Sequence, residues 1–252
     1  MKAYLGCDIG RARAENQDSI RAENYPDGVL AIVCDGMGGM ENGSAASKIA
    51  IAAAEDAFRA SYQTGMSDED VCDLLRSCAA DANQKVYRAA VSSRMRSRMG
   101  TTLVGAFVRP ETACIVNIGD SRAYLLPKEG SFRQITTDHT VVQLLYEQGM
   151  ITAEERATHA RRNELMRAVG VASRVLADIQ AVPLDPGDKV LLCSDGLYSM
   201  VEPERIEEIM RETPAEQVPE VCIAEANANG GRDNISVILL TDEPEHALTQ
   251  GE

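Results

Sequence analysis

The sequence has 252 residues, 44% of them hydrophobic and 25% charged, and a formal net charge of −14. This length can bury one substantial core within a single domain. The acidic balance argues against general nucleic-acid binding, which needs a basic surface, and no run of about 18 apolar residues predicts a membrane span. Asp8 comes too early for a secretory signal core, so we expect a cytoplasmic protein.

The seven cysteines include no C-x-x-C pair, and their number is odd. Cys34 and Cys193 stand inside apolar runs. This pattern favours small buried thiols in a reducing compartment over disulfides or a zinc site.

The N-terminal third predicts strands followed by two helices. An apolar, β-branched run should form a strand that ends in a turn at Asp35-Gly36, and the second helix should begin at an N-cap, Ser67. The segments before the helices are Ala3–Ile9 (extended), Arg11–Asp18 (polar) and Val29–Cys34 (the strand). The two helical stripes consist of Ala46, Ile49, Ala50, Ala53 and Ala57, and of Val71, Leu74, Leu75, Cys78, Ala82 and Val86.

Further along, strand patterns return in groups. Gly119-Asp120 should be a tight hairpin turn, and residues 138–170 are polar and weakly helical. The predicted strands are Leu103–Arg109, Thr112–Ile118, Ala123–Leu126, Val175–Val182, Lys189–Cys193 and Ile235–Leu240, with helices near 203–211 and 214–228. Grouped strands and paired helices predict an α+β layered sandwich. We expect one domain over residues 1–241 and a short acidic tail over 242–252.

Four aspartates stand where predicted strands end or begin. Asp35 and Asp195 follow apolar runs and precede a glycine, Asp233 precedes the last strand, and Asp120 lies in the predicted turn. Converging carboxylates would repel one another unless cations lay between them. Asp-Gly is also a common turn dipeptide, so spacing alone leaves a purely structural reading open.

The glycine-rich stretch after Asp35 fits a nucleotide-binding loop poorly. A dinucleotide fingerprint would need a third glycine where Glu41 stands, and Asp35 would face an anionic pyrophosphate. These glycines more naturally let the backbone approach a metal or follow a turn.

Eight segments match one family in its order. They are Gly10-Arg11-Ala12-Arg13-Ala14-Glu15-Asn16-Gln17-Asp18, Asp35-Gly36-Met37-Gly38-Gly39, Gly100-Thr101-Thr102, Asn117-Ile118-Gly119-Asp120-Ser121-Arg122, Thr137-Asp138-His139, Arg162-Asn163 with Gly170, Cys193-Ser194-Asp195-Gly196-Leu197 and Gly231-Arg232-Asp233-Asn234. From about Gly6 to Leu240 the chain resembles the metal-dependent protein phosphatases of type 2C in their compact bacterial form.

The resemblance implies a four-layer α-β-β-α sandwich, two antiparallel sheets flanked by helices. It implies hydrolysis of phosphoserine and phosphothreonine in proteins by a water or hydroxide that bridges two Mn²⁺ or Mg²⁺ ions. Asp35 would bridge both ions, the Gly36 carbonyl would contribute, and Asp195 and Asp233 would complete one shell. Asp120 with Asp195 resembles the family's third, weaker metal site.

The resemblance also assigns residues around the ions. Arg13 looks like the phosphate clamp, Asp18 like an outer acceptor for metal-bound water, and Thr102 and Asn234 like supporting residues. Residues 147–165 resemble a mobile flap. The expected partners are phosphorylated proteins, including substrates of a serine/threonine kinase, with no nucleic acid or membrane, and the expected state is a monomer.

The chain departs from the family pattern at three positions. Gln17 replaces a common glutamate, which should weaken the grip on one ion, and neither Met37 nor Met40 is the histidine that relatives carry. The general acid is therefore unassigned, and a metal-bound water is our hypothesis. We expect a structural role for His139.

Two other functions stay open. The substrate could be one dedicated regulator, such as an anti-anti-sigma factor, although such relatives carry a sensor domain for which this chain has no room. A non-catalytic pseudophosphatase would be marked by loss of Asp35, Asp195 or Asp233, and all three are present.

Overall fold

A computed structural model describes residues 1–38, 40–92 and 99–242. In chain order the strands are β1 (Lys2–Asp8), β2 (Asp18–Tyr25), β3 (Gly28–Met37), β4 (Gly100–Thr101), β5 (Leu103–Arg109), β6 (Thr112–Ile118), β7 (Arg122–Leu126), β8 (Arg133–Gln134), β9 (Asp178–Pro183), β10 (Lys189–Cys193) and β11 (Ile235–Thr241). The helices are α1 (Met40–Ser61), α2 (Asp68–Ser92), α3 (Val141–Glu147), α4 (Ala153–Thr158), α5 (Asp195–Tyr198), α6 (Pro203–Glu212) and α7 (Val218–Ala228). Within these ranges no helix is both long and apolar enough to cross a membrane.

The strands form two antiparallel sheets. One has the order β1-β11-β10-β7-β8, and the other has the order β2-β3-β5-β6-β9 with β4 paired to β3. The sheets pack face to face over a shared core that includes Val33, Val104, Leu192 and Ile238. Both inner faces are therefore apolar.

Helices cover the two outer faces. Leu30, Ile32 and Cys34 of β3 pack into a cluster with α1 and α2, whereas Ala31 and Val33 between them face the other sheet. This alternation follows the two-residue period of a strand. Helices α5 to α7 cover the five-stranded sheet in a third cluster. The predicted four-layer α-β-β-α sandwich is confirmed.

The strand that carries Asp35 runs further than predicted. We expected it to end at Cys34 and turn at Asp35-Gly36, but β3 continues to Met37. Neighbouring strands hold both residues in the sheet, because Asp35 lies opposite Asp18 of β2 and Gly36 lies opposite Thr101 of β4. The turn prediction was wrong because both partners are distant in sequence.

Strand β2 was not predicted at all. It contributes only Ile20 and Ala22 to the inter-sheet core, while Arg21 pairs with Glu55 of α1 at 3.1 Å. Two small apolar contributions are too few to give a visible alternation.

The Gly119-Asp120 hairpin was also a wrong prediction. Strand β6 belongs to the six-stranded sheet and β7 to the five-stranded sheet, so these residues connect the two layers. Nearby, β9 begins at Asp178 rather than at Val175, and the helix expected at 214–228 starts with a 3₁₀ turn at Ala215–Gln217. Residues 243–252 of the expected tail lie outside the described residues, as does Gly39.

Candidate active site

The four aspartates singled out in the sequence meet in one cavity. Asp35 of β3, Asp120 of the sheet-to-sheet link, Asp195 at the start of α5 and Asp233 just before β11 all line a cavity of about 1280 Å³, together with Gly36. Strand β3 belongs to one sheet, whereas β10 and β11, which flank Asp195 and Asp233, belong to the other. The acids therefore gather at one end of the sandwich, from both layers.

Burial and mutual repulsion dominate the electrostatics of these carboxyl groups. Burial raises the pKa of Asp35 and of Asp195 well above the usual range, and neighbouring carboxylates raise both further. Burial, followed by the charge of Asp138, raises the pKa of Asp120 to about 7. The Oδ1 atom of Asp195 is buried and has no hydrogen-bond partner among the described residues. Such a set is unfavourable unless a cation compensates it, and carboxylates with a backbone carbonyl are donors that Mg²⁺ and Mn²⁺ prefer.

An arginine already engages one of the four acids. Arg13 Nη2 donates to Asp233 Oδ2 at 2.6 Å, with side-chain exposures of 52% and 28%. Among the described residues, no three acidic, histidine or cysteine side chains stand around one point at ligating distances. The donors thus fit a divalent cation by chemistry and charge, and Arg13 competes with such a cation for one oxygen of Asp233.

Hydroxyl groups fix the backbone of Asp35. Thr102 Oγ1 accepts from the Asp35 amide at 2.9 Å, and the Thr102 amide donates to the Asp35 carbonyl at 2.8 Å. Ser121, next to Asp120, shares a 2.6 Å hydrogen bond with Thr102 Oγ1. One threonine therefore links the strand of Asp35 to the connection that carries Asp120.

Asp18 lies behind the cavity rather than on its wall. It is 7% exposed, and its Oδ2 accepts from Ser194 Oγ and Ser236 Oγ, both at 2.7 Å. Burial raises its pKa to about 6, the largest opposing effect being the hydrogen bond from Ser194. Sequence reasoning did not single out these serines, although Ser194 belongs to one of the family segments.

Asn234 ties down the loop that carries Arg13. Its Oδ1 accepts from the Gln17 amide at 2.8 Å, and its Nδ2 donates to the carbonyls of Ile9 at 2.9 Å and Glu15 at 3.0 Å. The side chain spans both ends of the loop, which places Arg13 over Asp233.

His139 clamps the turn before Asp120. Its Nδ1 accepts from the Gly119 amide at 3.1 Å, its own amide donates to the Gly119 carbonyl at 2.9 Å, and its Nε2 meets Asp178 Oδ2 at 3.1 Å. Tyr198 completes the support, because its hydroxyl donates to the Asp120 carbonyl at 3.0 Å. The geometry agrees with the structural role expected for His139, whereas Tyr198 carried no signal in the sequence.

The other residues singled out in the sequence lie on the cavity wall or in the predicted flap. Gln17 and Met37 line the cavity, whereas the side chain of Met40 lies outside the described residues. The segment expected to be a flap contains α4, and at its end Leu165 reaches the cavity. Its mobility stays a prediction.

Comparison with known proteins places the chain in a family. A family model described as protein phosphatase 2C matches residues 10–225. The chain belongs to this family. A serine/threonine phosphatase named stp from Listeria monocytogenes is 38% identical over 252 residues, spanning 99% of this chain and 98% of that protein.

Solved structures of phosphatases share the fold. Stp1 from Staphylococcus aureus is 33% identical with a TM-score of 0.89, covering 96% of this chain and 95% of that one. The catalytic domain of the serine/threonine phosphatase PstP, solved in complex with two manganese ions, is 31% identical with a TM-score of 0.80, covering 94% of this chain and 96% of that one. The family resemblance and the sandwich expected from the sequence are confirmed.

Proposed function

We propose that this member of the phosphatase 2C family is a serine/threonine protein phosphatase that hydrolyses phosphoserine and phosphothreonine monoesters at the cavity of the four aspartates. The observation that carries the proposal is the convergence of four carboxylates from separate segments beside an arginine, one of them with a buried oxygen that has no partner in the described part of the chain. A phosphomonoester dianion could approach such a site only if cations outweighed the carboxylates. Divalent ions and Arg13 together meet that requirement.

The proposed metal ligands are those that the family resemblance implies, and all of them line the cavity. Asp35 would bridge two Mn²⁺ or Mg²⁺ ions, with the Gly36 carbonyl, Asp195 and Asp233 completing the tight sites, and Asp120 with Asp195 would hold a third, weaker ion. Bound ions supply charge compensation on the phosphoryl oxygens and a water of lowered pKa for in-line attack. The two-manganese structure of PstP supports divalent metal dependence, and the choice between the two metals is part of the proposal.

Arg13 is the proposed phosphate clamp. Its guanidinium is half exposed and lies on the cavity wall, so it can exchange the Asp233 carboxylate for two phosphoryl oxygens. This exchange would couple phosphate binding to the release of Asp233 toward an ion.

Three residues would position the others. Thr102 holds the backbone of Asp35, and Asn234 holds the Arg13 loop, through the hydrogen bonds described above. Asp18, hydrogen-bonded by two buried serines behind Asp35, would accept from water in the outer shell of an ion. Gln17 on the wall can donate or accept, but it brings no charge to that shell.

The biological setting is also a proposal. Substrates would be phosphoproteins, including those of a serine/threonine kinase, and the enzyme would act in the cytoplasm as a monomer built from residues 1–241. All seven cysteines carry free thiols and five of them are buried, which suits a reducing compartment.

The decisive experiment measures phosphate release from a phosphothreonine peptide with Mn²⁺, with Mg²⁺ and with excess EDTA. We expect turnover only with metal, and a loss of nearly all activity in Asp35→Asn and Asp233→Asn. Circular dichroism should show both variants folded, because neither side chain belongs to an apolar cluster.

Asp56→Asn provides the matched control. Asp56 is a solvent-exposed acid of α1 whose only described ion pair is a 3.4 Å contact with Arg59, so its loss should leave turnover unchanged. Strong hydrolysis in EDTA, or near-normal kcat in either cavity variant at saturating Mn²⁺, would refute the assignment.

A further inference from the structure

The cavity has an apolar half that the chemistry proposed above does not use. Beside the acids, α2, the strand β3 and residues 165–171 contribute large apolar side chains. We name these residues the apolar wall: Met37, Tyr87, Val91, Leu165, Met166 and Val171.

The apolar wall begins directly beside the metal ligands. Met37 follows Gly36 in β3 and lies opposite Gly100 of β4. A Cβ atom placed on Gly100 would stand 2.9 Å from both Met37 Cε and Val171 Cγ2. Both side chains therefore lie against Gly100, and Met37 directly follows the proposed ligand Gly36.

Three side chains of the apolar wall are more exposed to solvent than is usual for large apolar residues. Val91, Met166 and Val171 are 67%, 53% and 61% exposed. Single exposed apolar residues are ordinary, but several around one cavity mark a binding surface. All three lie in the same cavity as the acids.

The cavity has room for more than a phosphoryl group. At about 1280 Å³ it exceeds the roughly 300–1000 Å³ typical of pockets for small molecules. A phosphoryl group at the acids would leave most of this space free. Each residue of a peptide chain spans at most about 3.5 Å, so the residues next to the phosphorylated one lie within reach of the remaining space.

We propose that the apolar wall is a substrate subsite that binds a bulky apolar side chain, such as leucine, isoleucine, methionine or phenylalanine, within two residues of the phosphorylated serine or threonine. This inference rests on the proposed phosphatase function. It makes Val91, Met166 and Val171 determinants of sequence preference among phosphoproteins.

The test compares two phosphothreonine peptides that differ only in the residues flanking the phosphothreonine, leucine in one and alanine in the other. The readout is the ratio of their kcat/KM values in the Mn²⁺-loaded full chain. Because even one missing methylene group in an apolar pocket discriminates by roughly 10–200-fold, we expect the wild type to favour the leucine peptide about tenfold or more. Val171→Asp should bring the ratio close to one, and Val171→Ala should lower it partly.

Leu176→Asp is the matched control. Leu176 is 77% exposed and close to Val171 in sequence, but it does not line the cavity. This variant should keep the wild-type ratio. A wild-type ratio near one, or an equal loss of preference in Leu176→Asp, would overturn the subsite.

Two further outcomes distinguish a failure of the proposed subsite from a failure of the proposed phosphatase function. If Val171→Asp instead changes kcat/KM equally for both peptides, the apolar wall does not contact the flanking side chains and the proposal is wrong. If the wild type hydrolyses neither peptide nor p-nitrophenyl phosphate, the phosphatase proposal fails. Fluorescence anisotropy of the labelled peptides then tests the subsite independently of catalysis. We expect about tenfold tighter binding of the leucine peptide, and equal binding of the two peptides would refute the subsite.

Discussion

The close approach of two backbone segments gives a prediction about how two of the proposed metal ligands, Asp195 and Asp233, are held together. Gly196 follows Asp195 in α5, and a Cβ atom placed on it would lie 2.9 Å from the carbonyl carbon of Asn234, nearer still to its oxygen, and 3.4 Å from Ile235 Cα. Both segments are backbone at the point of contact, so no rotamer change can relieve a clash. Gly196→Ala should therefore push Asp195 and Asp233 apart.

The expected loss of stability follows from the overlap between the added Cβ atom and the Asn234 carbonyl group. Ordinary contact begins near 3.4 Å, so the Asn234 carbonyl carbon would have to retreat by about 0.5 Å and the oxygen by more. Overpacking of this kind costs about 1–3 kcal/mol, and the better helix propensity of alanine offsets less than about 1 kcal/mol. A net loss of about 2 kcal/mol lowers the Tm by about 4–8 °C in a chain of this size. Metal ligands tolerate about 0.2 Å of displacement, so Mn²⁺ affinity should fall as well.

The assay combines thermal unfolding in EDTA with calorimetric titration of Mn²⁺. Gly105→Ala is the matched control, because its Cβ would meet a side-chain atom, Val116 Cγ1 at 3.0 Å, which can shift by a few tenths of an ångström. We expect this control to change the Tm by less than about 2 °C and to leave Mn²⁺ affinity intact. If Gly196→Ala unfolds at the wild-type temperature and binds Mn²⁺ normally, the packing argument fails.

Two further predictions concern the catalytic groups. Arg13→Ala should raise the KM for phosphopeptides about 10–100-fold, as expected for the loss of a charge-assisted hydrogen bond of about 1.5–3 kcal/mol. Calorimetry should show no weakening of Mn²⁺ binding, because the substitution frees Asp233. An unchanged KM would contradict the role of Arg13 as the phosphate clamp. Asp120→Asn should reduce turnover of phosphopeptides, whose alkoxide leaving group needs a proton, by about 100-fold and that of p-nitrophenyl phosphate much less; equal losses would reject a part for Asp120 in proton delivery.

The apolar pattern of the sequence predicted the layers of the fold well. The run that contains Leu30 to Cys34 is apolar on both faces because β3 lies between a helical layer and the other sheet. The stripes of α1 and α2 pack on that same outer face. The period of apolar residues in a long segment indicates which element it forms and which face is buried. These strands and helices could therefore be predicted without any tertiary information.

Pairing between distant segments could not be predicted in this way. Asp35 and Gly36 look like a turn until Asp18 and Thr101 are known to lie beside them. Gly119-Asp120 looks like a hairpin because nothing local tells whether the strands on either side share a sheet. In both cases the local rule for a turn competed with a tertiary arrangement that the sequence does not express.

Neutral residues that hydrogen-bond around the acids explain why whole sequence segments indicated the candidate site better than single aspartates did. Asp35 depends on Thr102, Asp18 depends on Ser194, and the Arg13 loop depends on Asn234. Each of these neutral residues stands in its own short family segment, two of them next to another of the acids. A turn aspartate needs no such partner, whereas a buried carboxylate does, because its charge must be held by donors. The recurrence of hydroxyl and amide residues in these segments is therefore the feature that separates a buried cavity aspartate from a turn aspartate.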